Sequence, residues 1–252
     1  MKKPIPILVI LYLLLGSCVQ QKLNLDLLEG NLLEIRQQYL DEAYNHNDYS
    51  DSLAHQFSSE LMGTLGTVKA SFYHPFDSLK TKVKICNSPD GLLKTYSWYH
   101  MVGGGTWHDI WSVAQYKTEN SVDTFALSLG TAGITGDPID VNYYKIQILQ
   151  DGANQIYLLS GWGTHGGGHH FRVIRALQIQ DNKLVDMEAI FNGEKYLTVR
   201  APRKDEISIT YDEKTQSITY DLFIQNQETG FYKVTGKQIR LMWNGQAFKA
   251  KK

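Results

Sequence analysis

The spacing of apolar residues divides the chain into two regimes. Over residues 25–44, Leu28, Leu32, Ile35, Tyr39 and Ala43 recur three or four positions apart, the repeat that keeps side chains on one face of a helix. Leu25, Leu33 and Leu40 widen that face, while Glu29, Glu34, Arg36, Gln37 and Asp41 fall mainly on the other. After the turn-forming run Asn45-His46-Asn47-Asp48, Leu53, Phe57, Leu61 and Leu65 repeat at every fourth position. That spacing predicts a second helix over 51–65, with Ser50 or Asp51 as its N-cap. The two segments predict a helical hairpin over 25–70, resting its apolar faces on a β domain. Phe72-Tyr73-His74-Pro75-Phe76 is expected as a helix-to-strand corner that plugs the core.

From Phe72 onward the period falls to two. Alternation predicts strands over 81–86, 93–98, 107–116, 122–128, 141–149, 155–160, 170–179 and 184–191. A meander follows over 207–211, 218–222, 231–235, 238–243 and 246–249. Residues 130–140 read as a loop. Ser88-Pro89-Asp90-Gly91, Asp151-Gly152, Asp181-Asn182, Asn192-Gly193 and Asn244-Gly245 supply turn chemistry between the runs. The pattern is that of a mainly β domain over 71–252, an antiparallel sandwich or a curved, barrel-like sheet, with an N-terminal α-helical hairpin. No repeat of propeller length recurs.

Residues 1–17 follow neither period. Lys2 and Lys3 precede an apolar run, Ile5 to Leu15, that is too short to span a bilayer and ends in small residues, the form of a secretory signal peptide. Leu15-Gly16-Ser17-Cys18 resembles the lipobox of bacterial lipoproteins. The resemblance implies that Cys18 carries acyl chains such as palmitate and that residues 18–24 form a short polar tether to the membrane. It also implies a cell-envelope location, and Val19 in place of Asp after the cysteine implies the outer membrane. Each buried methylene of such a chain contributes about 0.8 kcal/mol of membrane affinity.

Composition narrows the function classes. Removing 17 of 252 residues leaves 235, enough for a full all-β core. Losing Lys2 and Lys3 takes the formal charge from −1 to −3, which argues against a nucleic-acid partner. Cys86 is then the only cysteine not acylated, so no internal disulfide forms, and it is expected as a small core residue.

The candidate chemistry sits in two glycine-rich stretches. One is SGWGTHGGGHHFRVIR at 160–175; the other is SWYHMVGGGTWHDIW at 97–111. Both have the order Trp, His, three glycines, His, and both read as strand–loop–strand units. Trp98, His100, Trp107, His108, Trp162, His165, His169, His170 and Arg172 are the candidate binding residues: aromatic plates with polar edges beside imidazoles suit a glycan or peptide ligand. Arg172 and Arg175 add an anion contact. An alternative is a zinc or copper site built from His100, His108, His165, His169 and His170, although neither HExxH nor CxxC spacing is present. A third alternative is a purely structural lipoprotein. Hydrolysis is excluded: His165-Gly166-Gly167-Gly168 is similar to an oxyanion loop, but no Gly-x-Ser-x-Gly follows. Asp109 and Glu188 stand apart from other acids and suggest no acid/base pair.

A wider pattern runs through His74-Pro75-Phe76-Asp77-Ser78-Leu79, Ser88-Pro89-Asp90-Gly91, the Tyr96-Ser97-Trp98 strand and Gly104-Gly105-Thr106 with His108. It resembles a group of uncharacterised bacterial lipoproteins, from about residue 74 to 115. This chain departs from the group at Tyr99-His100, where an acidic residue commonly follows the Trp. The resemblance implies compartment and fold and brings no established activity.

Overall fold

Helix α1 spans Ile7–Tyr44 and α2 spans Ser50–Thr67. Both lie in the first of two units into which the chain divides, Met1–Lys82 and Val83–Lys252. The computed structural model describes residues 7–45, 50–102, 108–130, 140–164 and 168–250, the side chains of 7–23, 101, 102 and 108 excepted. Residues 18–24, expected as a tether, are instead part of α1. No glycine or proline interrupts them, and Gln, Lys and Leu are good helix formers. Among the described residues no helix is long and apolar enough to cross a membrane.

The two helices pair, and on α2 the predicted stripe Leu53, Phe57, Leu61 and Leu65 is buried; on α1 Leu32 and Tyr39 of the predicted stripe are buried together with Leu25, while Leu28, Ile35 and Ala43 are only partly buried. Two residues expected on the polar face of α1, Glu29 and Arg36, are buried as well. Arg36 lies over the rings of Tyr39 (4.6 Å) and Phe57 (5.5 Å), and burial pulls its guanidinium down to about 10. Two short 3₁₀ turns, Lys69–Phe72 and Leu79–Thr81, form the expected corner after α2, with Phe72, Phe76 and Leu79 buried.

The second unit is three antiparallel sheets. The first contains β1 (Lys84–Asn87), β2 (Leu93–Val102), β3 (His108–Lys117) and β4 (Val122–Ser128), in chain order. The second contains β5 (Asn142–Asp151), β6 (Asn154–Thr164), β7 (His169–Gln180), β8 (Lys183–Asp186) and β9 (Tyr196–Pro202), with β8 and β9 both pairing to β7. The third is the C-terminal meander, with four strands where five were predicted because 231–235 and 238–243 form one strand: β10 (Ile209–Asp212), β11 (Ser217–Gln225), β12 (Tyr232–Trp243) and β13 (Phe248–Ala250).

The second sheet lies in the middle of the unit. Its Tyr157, Leu159, Val173 and Leu177 share a core with Leu93, Ala114, Tyr116 and Leu127 of the first sheet. The alternate residues Ile156, Leu158, Ile174 and Ala176 share another with Ile218, Leu241 and Phe248 of the third. A strand buried on both faces loses its polar alternation, and Ile156-Tyr157-Leu158-Leu159 is such a run. Arg175 interrupts the other run. It is buried, grips Asp186 with two bonds (2.6 and 2.7 Å) and donates to the Leu127 carbonyl (2.7 Å), so it is tied up within the core and is not an anion contact.

Several boundaries differ from expectation: the first strand starts at Lys84 rather than 81, and β2 and β6 run on to Val102 and Thr164. The strand predicted over 184–191 ends at Asp186, because the chain then turns through Ala189 and Asn192, both at positive φ. Phe191 and Glu194 close the Asn192-Gly193 turn. Strand β9 was not among the predicted ones, although Leu197, Val199 and Ala201 alternate and are buried.

Candidate functional site

Both glycine-rich stretches are β-hairpins, β2–β3 and β6–β7. They lie in facing sheets, and the start of β5 shows that they share one end of the sandwich. Asp140 accepts the Ile110 amide (3.1 Å), Ser112 donates to the Val141 carbonyl, and the Tyr143 amide donates to Ser97 (3.1 Å). That segment therefore runs along the loop end of β2–β3. It also pairs with the loop end of β6, Asn142 with Trp162 and Tyr143 with Gly161. Trp107 and His165 lie outside the described residues, and of His108 only its place in β3 is described.

Register places the candidate side chains on different faces. Ser97 points to the central sheet, so Trp98 points away from it, and Trp98 is buried. His100 is buried too, at the β2 irregularity between Tyr99 and Met101, and its ring stacks on Trp111 at 3.7 Å. Trp111 packs against Trp98 at 6.5 Å. These two candidates are therefore packing residues of the first sheet. Trp162 and Arg172 face each other across β6 and β7 and are both partly exposed. The Arg172 guanidinium lies 5.1 Å over the ring of Tyr144, a partly exposed residue at an irregularity of β5. Three adjacent strands thus present an indole, a phenol and a guanidinium side by side. A cation over one aromatic face leaves the opposite face of each plane for a ligand.

Among the described residues the candidate histidines do not gather. His170 bonds the Asp205 carbonyl (2.8 Å), and His169 packs on Tyr232 (5.6 Å). Among the described residues the group of three ligand types that can hold a metal ion is Asp26, Glu29 and His74, in the helical unit. Their ligand atoms lie within 4.8 Å of one another. His74 Nε2 is 2.9 Å from Glu29 Oε2 and 3.8 Å from Asp26 Oδ1, and the second Glu29 oxygen accepts the Leu79 amide at 2.7 Å. The carboxylates sit three positions apart on α1, hence on one face. Their meeting with a histidine 45 residues on has no local sequence signal.

An acid pair also emerges that the sequence did not suggest. Asp109, at the start of β3, meets Asp140. Burial pushes the Asp109 carboxyl up to about 6, and the charge of Asp140 and a hydrogen bond between the two acids act in the same direction. Asp140 is buried at φ 55, its own amide held by Ser128 (3.1 Å). Gly130 belongs to the same corner: a Cβ there would press on Trp111 Nε1 and Asp109 Oδ1. Two such carboxyls can share one proton, so that one donates and the other accepts. Glu188 is exposed and shares Lys195 with Asp186, at 3.4 Å from each.

Cys86 is partly buried against the core between the first two sheets, near the Tyr143 carbonyl, and burial raises its thiol pKa; a thiol held protonated is a poor nucleophile. The opposite end of the sandwich carries an open groove of about 630 Å³ lined by turn residues, among them Lys117, Glu119, Tyr157 and Asp181. Its aromatic, Tyr157, already bonds Asp90 (2.8 Å), so the chemistry there is thinner than at the loop end. None of the family models, curated proteins or solved structures compared with the chain matches it, and the loop end and the helical triad stand on their own chemistry.

Proposed function

We propose that this is a lipid-anchored protein of the cell envelope, held by acyl chains on Cys18, whose β unit binds a glycan or peptide without transforming it. The observation that supports this reading most is the partly exposed band Tyr144–Arg172–Trp162 at the end where both glycine hairpins turn. Planar apolar faces beside a fixed cation suit a ligand with flat faces and many hydroxyl or carbonyl groups. Trp98 and His100 are no longer part of the contact surface, because both are buried. The proposal assigns no metal to the loops. Among the described residues the three ligands that could hold a metal ion lie in the helical unit.

Titration with soluble peptidoglycan fragments, oligosaccharides and peptide pools, followed by tryptophan fluorescence and calorimetry, tests the reading. At least one class is expected to bind, and Trp162→Ala and Arg172→Ala are each expected to weaken it about tenfold or more, while Tyr232→Ala leaves it unchanged. Failure of every class to bind, or equal binding by Trp162→Ala, overturns the proposal.

A further inference from the structure

We propose that Asp26, Glu29 and His74 form an open divalent-metal centre that keeps a water-exposed coordination position, of the kind that activates or exchanges a water rather than one that merely staples a fold. The inference rests on the metal reading above and goes further, to ion class and coordination.

The ligand set comes first. One imidazole nitrogen and two carboxylate oxygens, with no thiolate, suit Zn²⁺, Mn²⁺ or Fe²⁺ and disfavour Cu(I). The spacing is near what an ion requires. Ligands about 2.1 Å from one tetrahedral ion stand roughly 3.4 Å apart; the two measured separations, 2.9 and 3.8 Å, bracket that value. Small side-chain shifts suffice.

The supporting shell is already built. The Leu79 amide holds one Glu29 oxygen and leaves the other for the ion, and the edge-on Phe76 ring, 4.6 Å from the imidazole at 84°, fixes its plane. Such outer contacts orient metal ligands. Phe76 itself is fully buried at φ 51, a conformation that costs energy for a bulky residue. That bend brings both the His74 ring and the Leu79 amide back to a single glutamate. A lone ion pair does not require this second contact.

Exposure distinguishes an open centre from a closed one. The His74 and Glu29 side chains are 3% and 9% exposed, whereas Asp26 is 51% exposed. An ion between them has two ligands in the interior and one at the water boundary, so its remaining position faces solvent. Structural zinc sites have four protein ligands; sites that do chemistry have three and a water.

The test uses the full chain, stripped with chelator and titrated with Zn²⁺, Mn²⁺, Ca²⁺ and Co²⁺. One Zn²⁺ or Co²⁺ per chain is expected, with Ca²⁺ much weaker. Because Glu29 and His74 also brace the corner, Asp26→Asn is the diagnostic variant: it keeps the fold by circular dichroism and binds about tenfold or more weakly. Azide added to the cobalt form is expected to shift its visible bands by entering the open position. If no ion binds, or Asp26→Asn and His74→Ala bind like the parent, the metal reading and this inference both fall. If cobalt binds but azide leaves the spectrum unchanged, the metal reading stands and the open centre is overturned.

Discussion

At the residue scale, the acid pair Asp109–Asp140 has a measurable consequence. Asp109 ionises near 6 in the fold because burial and the neighbouring Asp140 oppose its charge, against about 3.9 in an unfolded chain. A folded pKa above the unfolded one means that the native state holds the extra proton between those values. The stabilisation is complete below the lower value and is lost as pH rises through about 6. Thermal unfolding from pH 4 to 8 should therefore show the parent losing stability relative to Asp109→Asn, which keeps a donor toward Asp140 and carries no charge. The gap should open between pH 4 and 6 in favour of the variant and stay constant above. Parallel curves across that window would remove Asp109 as the titrating group. The pair was not legible in the sequence: β4 and a connecting segment separate its members, and only the return of β5 along the first sheet brings them together. The split among the histidines was hidden for the same reason. Spacing along a chain says that His100 and His170 flank glycine loops, but register decides that one stacks under Trp111 while the other bonds the Asp205 carbonyl.

At the element scale, the two glycine hairpins were legible as hairpins, because alternating apolar runs on both sides of a glycine cluster leave little else. The reason for particular glycines was not. Gly163 lies in β6 where Asp140 and the Phe171 ring press on it, and a Cβ would overlap both the ring and the Asp140 carbonyl oxygen. Neither neighbour is the free end of a flexible side chain. Gly163→Ala should accordingly destabilise the β unit by about 1–3 kcal/mol, as overpacking does, whereas Gly168→Ala, where a Cβ meets nothing within 4 Å, carries only the strain of its φ of 81°. Chemical denaturation of the two variants provides the comparison, and a Gly163→Ala protein no less stable than Gly168→Ala would contradict the packing seen there. Strand β9 is the opposite lesson. Its alternation is present in the residues, but it ends in Pro202, which cannot donate to a ladder and marks a strand end as readily as a loop. The tether failed through a rule about composition: polar residues are not disordered when nothing breaks the helix running through them.

At the scale of the whole molecule, mainly-β class and the N-terminal helices followed directly from the change of period at Phe72. The three-layer arrangement did not, since a strand buried on both faces looks in sequence like any apolar run. The remaining question is where the molecule is held, and it turns on one residue. Cys18 follows Leu15-Gly16-Ser17 and an apolar run behind two lysines. Acylation there would anchor the chain by its lipid, with a single methylene worth about 0.8 kcal/mol and several chains acting together. Among the described residues no helix is long and apolar enough to cross a membrane. Cells expressing the full chain and fed labelled palmitate should therefore mark the parent and leave Cys18→Ser unmarked. The parent should sediment with membranes, and the variant should appear in the soluble fraction. Cys86→Ser separates a specific anchor from adventitious acylation, because Cys86 is partly buried and its thiol is held protonated; that variant should label like the parent. Unchanged labelling of Cys18→Ser, or sedimentation independent of it, would refute the lipid anchor, while the ligand binding proposed for Tyr144, Trp162 and Arg172 is judged by its own titrations.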